Sequence, residues 1–326
     1  MKRSAIIAIL SFFIANFSFG QDLEKYSRLV SEADDLYEAE EYVKSAEKYK
    51  EAFAAVNGKA YSSDRYNGAC SFALAGDVET AFHHLFVLAE GNVKYRDYDH
   101  ITTDSDLDVL HTDPRWDALI SQVKANKNEF EKDINKPLAA ILDAIYEEDQ
   151  RYRQQYMLIV EKYGWNSEEA NNYWPVVEKA DSINLIKVKA IIDEHGWLGP
   201  KTIGDRGNGT LFLVIQHSDP ETREKYLPIM REAVKKRDAS VADLALLEDR
   251  TALEQGRKQI YGSQIGRNEQ TGEMYVLPLD DPDNVDKRRA EVGLPPIQNY
   301  VSNWNIIWDA NEYKKRLPEY EAMQKK

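Results

Sequence analysis

The chain has one cysteine, Cys70, among 326 residues. No intramolecular disulfide can form, and thiolates cannot assemble a zinc cluster. Positive charge is also scarce: 42 Lys and Arg against 56 Asp and Glu leave a net charge of -14. A sequence-independent grip on nucleic acid or anionic lipid needs the opposite sign, so neither partner is expected. The six histidines include no pair at ligand spacing on one helix. His83 and His84 are adjacent and diverge by about 100° around a helix, so no metal is expected. No cofactor motif is present, and no cofactor is expected. Long apolar runs are missing too: the stretch from Ala5 to Phe17 is too short to favour a membrane helix.

What is present begins with that stretch. Lys2 and Arg3 precede it, and Ser18-Phe19-Gly20 follows with small residues at the two positions a signal peptidase inspects. Residues 1–20 therefore read as an export signal cut before Gln21, with a periplasmic or secreted destination. No cysteine follows the apolar core, so lipid attachment there is not expected. Loss of Lys2 and Arg3 would take the net charge from -14 to -16. No integral membrane segment is expected in the mature chain.

From Leu29 to Gly91 the chain repeats itself. Ala33, Leu36, Tyr42, Ser45, Tyr49 and Ala52 are matched 36 residues later by Ala69, Phe72, Val78, Ala81, Leu85 and Leu88. Small residues recur where two antiparallel helices approach closely, and large ones where they fill the groove. Glu40-Glu41-Tyr42 and Gly76-Asp77-Val78 mark the turn within each copy, with Glu40 standing where the second copy has Gly76. The pattern resembles the tetratricopeptide repeat and implies stacked helical hairpins over residues 22–125. A degenerate third unit from Tyr95 to Val123 would cap the stack. Such an array implies a protein or peptide partner.

The charged stretch Ala125 to Lys136 reads as a connector. Beyond it, apolar spacing predicts helices near 137–162, 168–195, 210–217, 220–236 and 240–255, punctuated by glycines. Gly204-Asp205-Arg206-Gly207-Asn208-Gly209 reads as a flexible turn; it lacks the lysine of a phosphate-binding loop. Gln259 to Asp280 carries β-favouring residues on both sides of Asn268-Glu269-Gln270-Thr271-Gly272 and predicts a hairpin. A last amphipathic helix is expected within 302–326. The expected fold is mainly α: a helical-repeat array, then a helical domain over 137–301 with one small β-hairpin.

Three of these helices carry polar residues inside their apolar stripes. Asp149 interrupts Leu138, Leu142, Ile145, Tyr152, Tyr156 and Ile159. Asp181 and Asn184 interrupt Val177, Val188 and Ile191, and Asp249 interrupts Ala242, Leu246 and Leu253. Each lies three or four positions from members of its stripe and so points the same way. A buried carboxylate without a partner is costly, so these residues need donors, a metal or a wet cavity, and a shared polar site is expected.

Several short motifs follow one another in this half. They are Asp149-Gln150 with Arg153, Asp181 with Asn184, Gly196-Trp197, Gln216-His217-Ser218-Asp219 and Asp249-Arg250. Gln259-Ile260-Tyr261-Gly262-Ser263-Gln264, Asp286-Lys287-Arg288-Arg289 and Gly293-Leu294 come after them. In this order they resemble an uncharacterised bacterial domain family often found in exported proteins. The resemblance implies a fold and recurring polar positions, and no known activity.

His217 follows the apolar run Leu211 to Ile215 and should emerge at a helix C-terminus, where the dipole favours a protonated ring. It reads either as a general acid or base paired with Asp149 or Asp249, or as a helix cap. Asp219 before Pro220 reads as an N-cap. Asp249 reads as part of a buried ion network or as a catalytic carboxylate. Arg250, Arg288 and Arg289 could hold the hairpin to the helices or grip an anionic or hydroxyl-rich ligand, and Gln264 could present its amide to the same cavity. Nineteen tyrosines and six tryptophans could stack on sugars or fill the core.

Two functions remain open. One is an exported interaction protein whose array binds a partner segment and whose second domain holds a small polar ligand, a glycan or a peptide. The other is a cell-envelope hydrolase or transferase using His217 with an aspartate partner and an arginine for charge stabilisation. The discriminating feature is whether His217 lines an open cleft within reach of a carboxylate.

Overall fold

The structure, a computed structural model, describes residue 23 and residues 25–324. The export signal read in residues 1–20 lies outside the described residues. The chain divides between Lys132 and Asp133 into two compact units, each with its own core. No helix among the described residues is long and apolar enough to cross a membrane.

In the N-terminal unit α1 (25–38) and α2 (Tyr42–Ala55) form one helical hairpin, and α3 (Ser62–Leu74) and α4 (Val78–Glu90) a second. The short α5 (Tyr98–Thr103), a 3-10 turn at Ser105–Leu110 and α6 (Pro114–Glu131) complete it. The repeat seen in the sequence is a repeat in burial. Ala33 and Ala69, Ser45 and Ala81, Tyr49 and Leu85, Ala52 and Leu88 are all buried at matched positions. Gly76 turns the second hairpin at φ 82°, and Glu40 takes the same left-handed conformation in the first at φ 59°. The expected connector from Ala125 is largely helical, because α6 runs on to Glu131. The Asn126 amide secures it, donating to the carbonyls of Ala89 at 2.8 Å and Tyr95 at 2.9 Å.

The C-terminal unit is built on α7 (Lys136–Tyr163) and α8 (Glu168–His195), two long helices packed side by side. Asn135 caps α7 through Leu138 N, and Ser167 caps α8 through Ala170 N. Glycines with positive φ, Gly164 and Gly196, end both, as the missing Cβ allows. Three shorter helices follow: α9 (Pro200–Gln216) packs on this pair, and α10 (Pro220–Lys236) and α11 (Val241–Glu254) pack on each other and on α9. Leu142, Val188, Leu211, Ile215, Met230 and Leu247 sit in their common core.

The glycine-rich turn expected at Gly204–Gly209 is helical instead. Only Gly204 leaves helical geometry, kinking α9. Gly207 lets α9 approach α7: a Cβ there would stand 3.3 Å from Leu142 Cδ1. Buried Asn208 then cross-links the fold, donating to the carbonyls of Leu198 and Asp238 at 2.7 Å each.

The hairpin is present and shorter than expected. Strands β1 (Ile265–Arg267) and β2 (Met274–Val276) pair antiparallel, with Gly266 opposite Tyr275. The Asn268 side chain accepts from Gln270 N and Thr271 N in the turn. Helices α12 (Val285–Glu291), α13 (Ile297–Val301) and α14 (Ala310–Gln324) follow. The last helix shares the hairpin's core rather than standing apart. Tyr313 bridges Leu279 N and Leu277 O, and Tyr320 stacks on Tyr275 at 4.7 Å.

Candidate functional site

The stripe positions Leu142, Ile145 and Asp149 of α7 are all buried. Asp149, 2% exposed, therefore points inward as the spacing requires, and three donors meet it. Its Oδ1 lies 3.0 Å from His217 Nδ1, at the C-terminal end of α9. Its Oδ2 accepts from Gln150 Nε2 at 2.8 Å and from Arg153 Nε at 3.3 Å. Arg153 is one turn further along α7 and also donates through Nη2 to Asp181 Oδ1 on α8, at 2.7 Å. Three helices thus deliver two carboxylates, an imidazole and a guanidinium to one place.

The electrostatics follow from these contacts. Burial alone would raise the Asp149 carboxyl. The hydrogen bond and charge of His217, then Arg153, outweigh it and hold Asp149 below the usual carboxylate range. Asp181 goes the other way: burial and the Asp149 charge lift it, and Arg153 and His217 only partly offset them. Asp149 is thus the ionised partner of the pair, and Asp181 the carboxyl that more readily holds a proton.

Asp149, Asp181 and His217 line an open cleft of about 400 Å³, together with Glu178, Ser182, Leu185, Val214, Ser218 and Asp219. Neither serine is poised as a nucleophile. Ser182 Oγ donates to Glu178 O at 2.8 Å and Ser218 Oγ to Ile215 O at 2.7 Å, both backbone carbonyls on the same chain segment. Asp219 caps α10 through Thr222 N, as its place before Pro220 predicts. Ligand atoms of Asp149, Asp181 and His217 lie within 4.8 Å of one another, near enough to share an ion. Arg153 occupies the cationic position between the two carboxylates.

Asn184, one helical turn from Asp181, is fully buried, and neither amide atom has a hydrogen-bond partner among the described residues. It lies on the predicted face, without a demonstrated contact to the cluster.

Asp249 does not join this group. It is fully buried, and its carboxylate collects backbone N–H groups from the following loop. Oδ1 accepts from Ile260 at 2.6 Å and Tyr261 at 3.0 Å, and Oδ2 from Ser263 at 3.0 Å. Burial raises its carboxyl and these donors pull the other way. Its role here is to pin residues 260–263 onto α11, which also explains why the strands start late: N–H groups bound to a carboxylate cannot join a ladder.

Arg288 and Arg289 serve the same loop. Arg288 donates to Ile260 O at 2.9 Å and Asp280 O at 2.6 Å. Arg289, fully buried, donates to Pro295 O and Tyr261 O at 2.6 Å each and lies over the Tyr300 ring. Both act as struts. Gln259, the first residue of the motif that runs to Gln264, joins them and is fully buried. Its amide bridges Gln264 N, Gln264 O and Leu277 O. Arg250 and Gln264 meet each other, with Arg250 Nε donating to Gln264 Oε1 at 3.1 Å.

In the N-terminal unit Cys70, Asp104 and Asp106 also bring ligand atoms together. Tyrosines close that cluster: Tyr66 donates to Asp104 at 2.9 Å and Tyr37 to Asp106 at 2.5 Å. Burial first, then the two aspartate charges, pushes the Cys70 thiol up, away from a reactive thiolate.

No curated protein and no solved structure matches the chain. Residues 136–314, more than half of its length, match DUF6624, a family of unknown function, and the chain belongs to that family.

Proposed function

We propose that the C-terminal unit is an acid–base catalytic domain, a hydrolase or transferase, with His217 as general base and Asp149 as its positioning residue. The observation that carries this reading is the 3.0 Å contact between Asp149 Oδ1 and His217 Nδ1 at the wall of an open cleft. An ionised carboxylate on Nδ1 keeps the proton there and leaves Nε2 as the basic atom. With both cleft serines bound to backbone carbonyls, the nucleophile that this base activates is water or a substrate hydroxyl. Asp181, raised by burial, is suited to return a proton to the leaving atom.

The N-terminal unit is read as a tetratricopeptide-like array that binds a protein or peptide segment. Its support is the burial of matched residues in successive hairpins. The signal-like residues 1–20 support export to the periplasm or beyond, which makes glycans and peptides of the cell envelope the substrates to try first.

The test is turnover by the full chain on chromogenic esters, amides and glycosides across pH. Activity that disappears in His217→Ala with unchanged thermal unfolding is the expected result. Equal turnover in wild type and His217→Ala, or none on any substrate class, would sink the reading.

A further inference from the structure

Arg153, Arg223 and Arg250 lie close enough for the first two charges to act on the third. Two of the three are matched by carboxylates. Arg153 bridges Asp149 and Asp181. Buried Arg223 takes Glu254 with Nε and Nη2 and the Gln216 carbonyl with Nη1. Arg250 has no such match: among the described residues it makes no ion pair, and its hydrogen bond is to the neutral Gln264 amide.

The carboxylates nearest in sequence are taken. Asp249 is saturated by the N–H groups of Ile260, Tyr261 and Ser263. Glu254, one turn along α11, is clasped by Arg223. Burial, then the charge of Arg223, holds the Arg250 guanidinium below the usual arginine range, and the charge of Glu254 only partly offsets them. A partly buried cation beside like charges, whose neighbouring carboxylate Glu254 is already hydrogen-bonded to Arg223, is an arrangement that an incoming anion stabilises.

Its orientation is fixed as well. Gln264 Oε1 receives Arg250 Nε, while Gln264 Nε2 donates to Ser263 Oγ at 3.0 Å. Ser263 is in turn anchored through its N–H on Asp249. The amide is therefore held with its oxygen toward the guanidinium, leaving the Nη donors to meet a planar or tetrahedral oxyanion.

We propose that Arg250, oriented by Gln264, is a binding site for an anionic group, a carboxylate or a phosphate.

The test follows the arginine Nε–H signals of the full chain by NMR during titration with acetate, inorganic phosphate or neutral acetamide at constant ionic strength. Saturable binding of an anion in the millimolar range and none of acetamide is expected. Tighter acetate binding marks a carboxylate site, and tighter phosphate binding a phosphoryl one.

Arg250→Gln should weaken binding at least tenfold. Gln264→Glu, nearly the same shape, should do the same by supplying Arg250 with an internal carboxylate, and its thermal unfolding should not fall. His217→Ala should bind the anion as the wild type does. No saturable anion binding, or equal binding by Arg250→Gln and wild type, overturns the proposal. In either case turnover that depends on His217 would leave the catalytic reading standing.

Discussion

Asp149 and His217 stand 68 residues apart in the chain, and their side chains meet at 3.0 Å. The carboxylate comes from the middle of a long helix and the imidazole from the end of a shorter one packed across it. Asp149→Asn keeps the shape but no longer holds the proton on Nδ1. Turnover should fall by about 10²- to 10⁴-fold. His217→Ala should cost as much, and the double variant little more, because the two act as one unit. Losses that multiply would show that they act separately.

The same pair makes a pH prediction. The folded Asp149 carboxyl titrates below its unfolded counterpart, so its contribution to stability is complete above the unfolded value near pH ~4. That contribution is lost as pH falls through the lower folded value. Urea midpoints for wild type should therefore drop more steeply below pH ~4 than those of Asp149→Asn. Parallel curves would contradict this.

Asp243 carries the opposite sign. Burial raises its carboxyl to about 6, and its side chain has no hydrogen bond among the described residues. Stability should fall as pH rises from the unfolded value near ~4 through about 6. Asp243→Asn should be more stable than wild type at pH ~7.5 by on the order of 1 kcal/mol, and the gain should vanish near pH ~4. Chemical unfolding at the two pH values decides it.

Asp249 should matter more to folding than to chemistry. Asp249→Ala orphans the N–H groups of Ile260, Tyr261 and Ser263, a loss of about 3–5 kcal/mol. Hydrogen exchange should show those amides opening first. A variant of near wild-type stability would mean that the loop has another anchor.

Glu40 stands where Gly76 stands in the next hairpin, with the same sign of φ. Left-handed backbone costs a residue with a Cβ about 1–2 kcal/mol, part of which glycine returns as unfolded-chain entropy. Glu40→Gly should stabilise the N-terminal unit by roughly 0.5–1 kcal/mol in thermal unfolding. A loss of stability would indicate that the Glu40 side chain contributes more than its backbone strain.

Much of the architecture was legible in the residues themselves. The spacing of Ala33, Ser45, Tyr49 and Ala52 and its return at Ala69, Ala81, Leu85 and Leu88 is a local property, because a helix presents every third or fourth side chain to one neighbour. Caps such as Asp219 before Pro220 and the Asn268–Gly272 turn are equally local. So was the inward direction of Asp149, Asn184 and Asp249.

Periodicity establishes that a side chain faces inward, but not what it faces. Asp149 and Asp249 are both buried acids in helical stripes, yet one meets an imidazole and a guanidinium and the other a row of backbone N–H groups. Arg250 and Arg289 read alike as cations, and only packing left the first without a carboxylate and closed the second around Tyr261 and Pro295. The glycines at 204–209 predict a turn by composition alone, whereas in the folded chain Gly207 lets α9 lie against Leu142. Burial is a property of one element and its sequence carries it; partnership belongs to two distant segments, and it exists only once the chain has closed on itself.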